Sequence, residues 1–248
     1  FTAIRLSFLM LKCIESFHKH GYVHCDFKPG NFLLRSTDSK SAEKENSTEA
    51  TDNDLKTDVP SSIVLIDYGL SRKYIDESSK MPFPERKQCC FVGTTKYASL
   101  NVHYGIDTSP RDDILSWLYS VVELINGKLP WSHITELKKI KKVKKSITPE
   151  TLFETLPPAY LKIYYYASSL HYVDFPDYEM IYQLLYEAIT NIAEPDSQPF
   201  DWESLSKDAI EQFSPIPTLP KASETNFYTL PPAQAKSLPN QSKCCILL

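Results

Sequence analysis

The sequence predicts a mainly α fold with one short β-hairpin, and three observations predict it. Apolar residues recur at helical spacing through the first twenty positions. A segment after Pro110 is apolar on almost every face. Two short apolar runs, 32–34 and 63–66, flank a stretch with hardly anything apolar in it.

Residues 2–20 read as a helix because Ile4, Phe8, Leu11, Ile14 and Phe17 form one stripe, with Gly21 as a stop. Tyr22 and Val23 lead into a polar loop, and residues 32–34 form the first strand. From 36 to 60 the chain is rich in Ser, Thr, Asp, Glu and Lys, the composition of a disordered acidic insertion between two strands. It serves either as a phosphorylation or docking segment or as a tolerated surface expansion. Residues 63–66 form the second strand and run into Asp67. Beyond Pro110, Ile114, Leu115, Trp117, Leu118, Val121, Val122, Leu124 and Ile125 mark a helix buried all round. Asn126-Gly127 ends that helix and Pro130 keeps it from resuming. Further helices are expected around 136–145, 158–169 and 178–190. From 213 to 248 the chain is rich in Pro, Ser and Thr without periodicity, which predicts a flexible tail behind a body spanning 1–212.

Hydrophobic content of 42% and aromatic content of 12% suffice for a core. The net charge of -4 argues against nucleic acid as a partner, because phosphate backbones are bound by basic surfaces. Cys13, Cys25, Cys89, Cys90, Cys244 and Cys245 show no CxxC spacing, so reduced thiols and a cytoplasmic protein are expected. No signal peptide and no apolar run long enough to cross a bilayer is visible.

Two stretches carry the chemistry: His24-Cys25-Asp26-Phe27-Lys28-Pro29-Gly30-Asn31 and Ile66-Asp67-Tyr68-Gly69. An aspartate, a lysine two residues on and an asparagine three beyond that put a base, a cation and a metal ligand on one tight loop. A second aspartate at the end of an apolar strand adds another metal ligand. Phosphoryl transfer needs this set: charge stabilisation, metal bridging and an acceptor for the nucleophile's proton.

These stretches resemble the catalytic and metal-binding loops of eukaryotic protein kinases, usually His-Arg-Asp and Asp-Phe-Gly. The segment Gly93-Thr94-Thr95-Lys96-Tyr97-Ala98-Ser99-Leu100-Asn101 resembles the substrate-side loop of the casein kinase 1 group, which carries a Ser-Ile-Asn-like triplet where most kinases have Ala-Pro-Glu. Arg111-Asp112-Asp113 and Leu129-Pro130-Trp131 fit the same group. Pro176-Asp177-Tyr178 and Phe200-Asp201-Trp202-Glu203 look most like its tau-tubulin kinase branch. The fold this implies is a protein-kinase-like C-terminal lobe. No Gly-rich loop, strand lysine or partner glutamate precedes the catalytic loop, so the chain is expected to be a fragment lacking the nucleotide-covering N-terminal lobe. On its own it should bind ATP poorly and turn over slowly.

The resemblance implies serine/threonine kinase activity with ATP and Mg2+ as cofactors. Asp26 would accept the substrate hydroxyl's proton and Lys28 would neutralise the transferring phosphoryl group. Asn31 and Asp67, with Gly69 beside them, would hold nucleotide and metal. Thr94 would tie the substrate loop to Asp26 and Lys28, while His24 and Asp113 would support the catalytic loop. Two departures stand out. Cys25 replaces an arginine that usually pairs with an activation-loop phosphate, and a thiol cannot supply those bonds. Tyr68 replaces a phenylalanine and brings a hydroxyl to satisfy.

The lysines from 138 to 145 are either a solvated helical face or an anion patch for acidic or pre-phosphorylated protein substrates or anionic lipid. Lys96 belongs to the same kind of anion site by resemblance. The last four residues fit a prenylation pattern on Cys245, and Cys244 could take a second acyl chain, so membrane association through the tail is expected. The rival to the enzyme is a catalytically inactive, pseudokinase-like scaffold tethered to membrane by that tail.

Overall fold

The computed structural model describes residues 2–34 and 63–190. The chain begins with α1 (Thr2–Lys19), whose buried stripe is Ile4, Ser7, Met10, Leu11, Ile14 and His18. Two of those are polar, and each is joined to another helix. Ser7 exchanges a 2.6 Å hydrogen bond with the Tyr160 hydroxyl, and its carbonyl accepts from Trp117 Nε1 at 2.9 Å. His18 bridges Asp113 and the Tyr178 hydroxyl. The expected Phe8 and Phe17 sit only partly buried, at the edge of the core.

Gly21 follows with φ of 82°, the left-handed conformation that lets a helix stop and the chain reverse. Its carbonyl accepts from Tyr74 and Ile75 at 2.7 and 3.0 Å. Those bonds start an antiparallel pair between β1 (Tyr22–Val23) and β4 (Arg72–Lys73), in register Tyr22 with Lys73 and Val23 with Arg72. β2 (Phe32–Leu34) pairs antiparallel with β3 (Ile63–Leu65), Phe32 opposite Leu65. The expected single hairpin is therefore corrected to two separate two-stranded sheets. The second pairing escapes periodicity because each strand is two residues long and Arg72-Lys73 is polar.

The helical half follows. α2 (Leu100–His103) is capped by Ser99, whose hydroxyl accepts from Val102 N at 3.3 Å. α3 (Pro110–Asn126) begins with Pro110 at a position where no amide hydrogen is needed and with Asp112 turned back onto Ser109 N at 2.9 Å. It ends on Gly127 at φ 72°. Ile114, Trp117, Leu118 and Val121 have no exposed surface at all, which makes α3 the axis of the core. α4 (Leu137–Ser146), α5 (Pro149–Leu152), α6 (Pro158–Ser169) and α7 (Tyr178–Thr190) complete it. α1 packs on α3 and α7, and α6 on α3 and α7, so four helices enclose the Trp117–Tyr160 contact.

The acidic insertion at 36–60, residues 200–203, the tail from 213, and Cys244 and Cys245 lie outside the described residues. Among the described residues no helix is long and apolar enough to cross a membrane.

Candidate active site

The polar loop after β1 is seated on the start of α3. Asp113, 1% exposed, accepts from His24 N at 2.8 Å, from Cys25 N at 3.0 Å and from His18 Nε2 at 2.9 Å. One buried carboxylate thus satisfies two consecutive amides that a tight loop would leave without partners. Cys25 takes φ of 70°, a conformation that costs an L-residue about 1–2 kcal/mol. The paired bonds to Asp113 hold it there. Its thiol is pushed strongly upward by burial and by the nearby Asp113 charge, so it stays protonated and inert.

With the backbone fixed, the side chains converge. Asp26 is 7% exposed and takes Lys28 Nζ at 2.6 Å on one oxygen and Thr94 N at 2.7 Å on the other. Lys28 also donates to the Thr94 hydroxyl at 3.1 Å. The 93–101 loop can come this close because Gly93 has no side chain: a Cβ there would lie 2.3 Å from the Cys25 carbonyl, and its φ is 92°. Asn31, on a 3-10 turn at Pro29–Asn31, commits its amide nitrogen to the Asp26 carbonyl at 2.9 Å, so its amide oxygen is the atom it offers a cation.

Asp67 arrives beside Asn31 because Ile66 N donates to the Asn31 carbonyl at 2.9 Å. It is exposed, and like Cys25 it is left-handed, at φ 64°. Gly69 N approaches its carboxylate at 3.4 Å. His24 joins the two segments: it stacks on Phe27 at 4.6 Å, its Nδ1 faces Asp26 N at 3.3 Å, and its Nε2 faces the Ile66 carbonyl at 3.3 Å. Nδ1 accepts from the backbone on one side of the ring while Nε2 meets a carbonyl on the other. Tyr68 stacks on Phe17 at 5.4 Å, and its hydroxyl donates to the Leu65 carbonyl at 2.6 Å.

Among the described residues no group of three or more His, Cys, Asp or Glu side chains gathers as a metal cage. One exposed carboxylate and one amide oxygen suit a hard cation that keeps water and phosphate oxygens as its other ligands, as magnesium does. Asn31 and Asp67 fit that demand.

The loop beyond Thr94 is anchored to α3. Asp112 takes Ser99 Oγ at 2.6 Å and Asn101 Nδ2 at 2.9 Å, although burial pushes its carboxyl upward. Lys96 pairs with Glu123, which also accepts from the Tyr97 hydroxyl. An anion at Lys96 would therefore compete with a carboxylate already there. The lysine cluster divides. Of six lysines in α4, Lys138, Lys139, Lys142 and Lys145 are exposed, while Lys141 turns toward the end of α2 and Lys144 toward the loop.

Sequence reasoning did not find Asp107. It is 1% exposed and receives Arg72 at 2.9 Å and Arg86 at 2.8 and 3.1 Å, with Arg86 N adding a bond at 3.0 Å. Arg86 draws its carboxyl below the usual range against the pull of burial. A carboxylate of the chain itself, just ahead of α3, thus ties together β4 and the stretch around Arg86. The pairing spans 35 and 21 residues, and nothing local in the sequence announces it.

A family profile described as the protein kinase domain matches residues 3–171. A probable serine/threonine-protein kinase of Dictyostelium discoideum is 32% identical over 202 residues, covering 82% of this chain and 37% of that protein. Casein kinase I homolog 3 of Schizosaccharomyces pombe is 29% identical over 219 residues, covering 86% of this chain and 46% of that protein. The chain thus spans less than half the length of either relative.

Proposed function

The chain belongs to the protein kinase domain family, and from that premise we propose that it carries the phosphoryl-transfer site of a serine/threonine protein kinase. Within the family we place it in the casein kinase 1 group, with the tau-tubulin kinases as the branch its motifs resemble most. The observation that carries the reading is the meeting of Asp26, Lys28 and Thr94 on a loop held by Asp113, with Asn31 and Asp67 alongside.

ATP would supply the transferring phosphoryl group and magnesium the neutralisation of its phosphate charge, with Asn31 and Asp67 holding the metal. The protein's own residues do the rest. Asp26 keeps two hydrogen bonds and still has free lone pairs, so it can take a substrate hydroxyl's proton while remaining oriented. Lys28, partly exposed beside Asp26, would neutralise charge on the transferring phosphoryl group. Thr94 fixes the substrate-facing loop to the base, which sets the distance between nucleophile and acceptor. The bonds Arg72 and Arg86 make to Asp107 support a segment ordered without phosphorylation.

Substituting Asp26→Asn in the full-length protein tests this. Loss of a general base lowers kcat by about 10²–10⁴-fold, with KM for ATP little changed. A variant as active as the parent would remove Asp26 from the chemistry and favour a binding module built on a kinase fold.

A further inference from the structure

The underside of the 93–101 loop presents three backbone carbonyls to the helical body, and each is met by a side chain. Trp131 Nε1 donates to Lys96 O at 2.8 Å. Lys144 Nζ donates to Thr95 O at 3.0 Å and to Ala98 O at 2.6 Å. His103 Nε2 also reaches Thr95 O, at 3.3 Å. Lys144 is 6% exposed, an unusual place for a lysine. Its ammonium lies over the rings of Tyr119 and Trp131, at 4.8 and 5.1 Å, and burial lowers its pKa to about 6 with no carboxylate counteracting it.

A surface helix normally buries an apolar stripe. In α4 that stripe runs from Ile140, 1% exposed, and the position one turn on is Lys144. An apolar side chain there would fill the volume but leave the Ala98 carbonyl without its donor and the Thr95 carbonyl with His103 Nε2 alone, and a short polar one would not reach them. The long stem of lysine carries the donors to the carbonyls while its ammonium rests against both rings. A neutral amine still has two N–H groups, matching the two carbonyls, so these contacts do not depend on its charge.

We infer that Lys144 is a positioning residue, fixing the substrate-facing loop from below so that Thr94 stays on Asp26 and Lys28. The inference rests on the proposed function for its meaning, but its physical content is a statement about the loop. Thr94 N bonds Asp26, and Tyr97 N and Ala98 N both bond Thr94 O at 3.0 Å, so the loop is a single turn pinned above by Asp26 and below by Lys144. Of the other lysines near the turn, Lys28 bonds the Thr94 hydroxyl, Lys96 pairs with Glu123, and Lys141 bonds the His103 carbonyl at 3.0 Å, which leaves the loop carbonyls to Lys144.

The test is hydrogen exchange on the full-length protein carrying Lys144→Met, which keeps the stem and removes the donors. Exchange at the amides of Thr94, Tyr97 and Ala98 should accelerate at least tenfold while α3 and α6 stay protected. Lys144→Gln, which restores an NH2 without charge, should recover part of that protection and serves alone if the methionine variant does not fold. In kinase assays Lys144→Met should raise KM for the protein substrate about fivefold or more, with KM for ATP unchanged. Loop exchange within twofold of the parent, or an equal rise in both KM values, overturns the inference. If the parent transfers no phosphate, the functional reading fails, and the exchange result still decides whether Lys144 pins the loop.

Discussion

Replacing Asp113 by alanine removes one acceptor from three buried donors: His24 N, Cys25 N and His18 Nε2, at 2.8, 3.0 and 2.9 Å. A buried donor left without a partner costs about 1–3 kcal/mol. The cavity left by the carboxylate admits water that restores part of this, so a loss of about 3–6 kcal/mol is expected. That is a large share of the roughly 5–15 kcal/mol that holds a domain together. Asp113→Asn keeps one acceptor oxygen but turns an NH2 toward a donor, and should lose about half as much. Urea unfolding followed by tryptophan fluorescence reads both, since Trp117 sits in the same helix. Cys25 would also lose what keeps it at φ 70°, so activity should fall further than the folded fraction alone explains. A loss under about 1 kcal/mol for the alanine variant would refute the reasoning that Asp113 is what holds the loop.

Three other outcomes follow from the same geometry. Gly93→Ala forces a Cβ within 2.3 Å of the Cys25 carbonyl, so it should separate the 93–101 loop from Asp26 and cut activity at least about tenfold, measured as kcat/KM. Asp107→Ala releases Arg72 and Arg86 together, and tryptic cleavage after Arg86 or Lys87 should accelerate by about an order of magnitude in a timed digest. His103 is pushed down to about 4 by burial and by Lys144, so its folded-state pKa lies below its unfolded value of 6.5. The unfolded chain then binds the extra proton between those values, and stability should rise as pH increases from about 4 to 6.5. Imidazole carbon shifts read by NMR should show His103 neutral at pH 5.5.

What could be read in the sequence is what local rules write there. α6 and α7 occupy the residues that periodicity assigns them, and α3 runs from Pro110 to the turn at Asn126-Gly127, because proline, glycine and a 3.6-residue repeat act over a few positions. The candidate site residues of the 24–31 loop stood out for a different reason: their chemistry is dense, and they lie within eight positions of one another. Long-range pairing was not legible. Two-residue strands carry no period, so the β1–β4 sheet had no signal. Ser7 and His18 look like solvent-facing helix residues until Tyr160, Trp117, Asp113 and Tyr178 are brought to them. Lys144 could have been suspected: it falls at the position after Ile140 where the apolar stripe of α4 should continue. Its carbonyl partners lie 49 and 46 residues away, and only the fold names them.

The central claim is that this site moves a phosphoryl group to a hydroxyl. The most direct measurement gives the full-length protein γ-labelled ATP with magnesium and a protein substrate, then identifies the labelled amino acid. The account predicts label on serine or threonine, requiring magnesium and lost with Asp26→Asn. Label that never leaves ATP under any magnesium concentration, or transfer that persists in the Asp26→Asn variant, would contradict it.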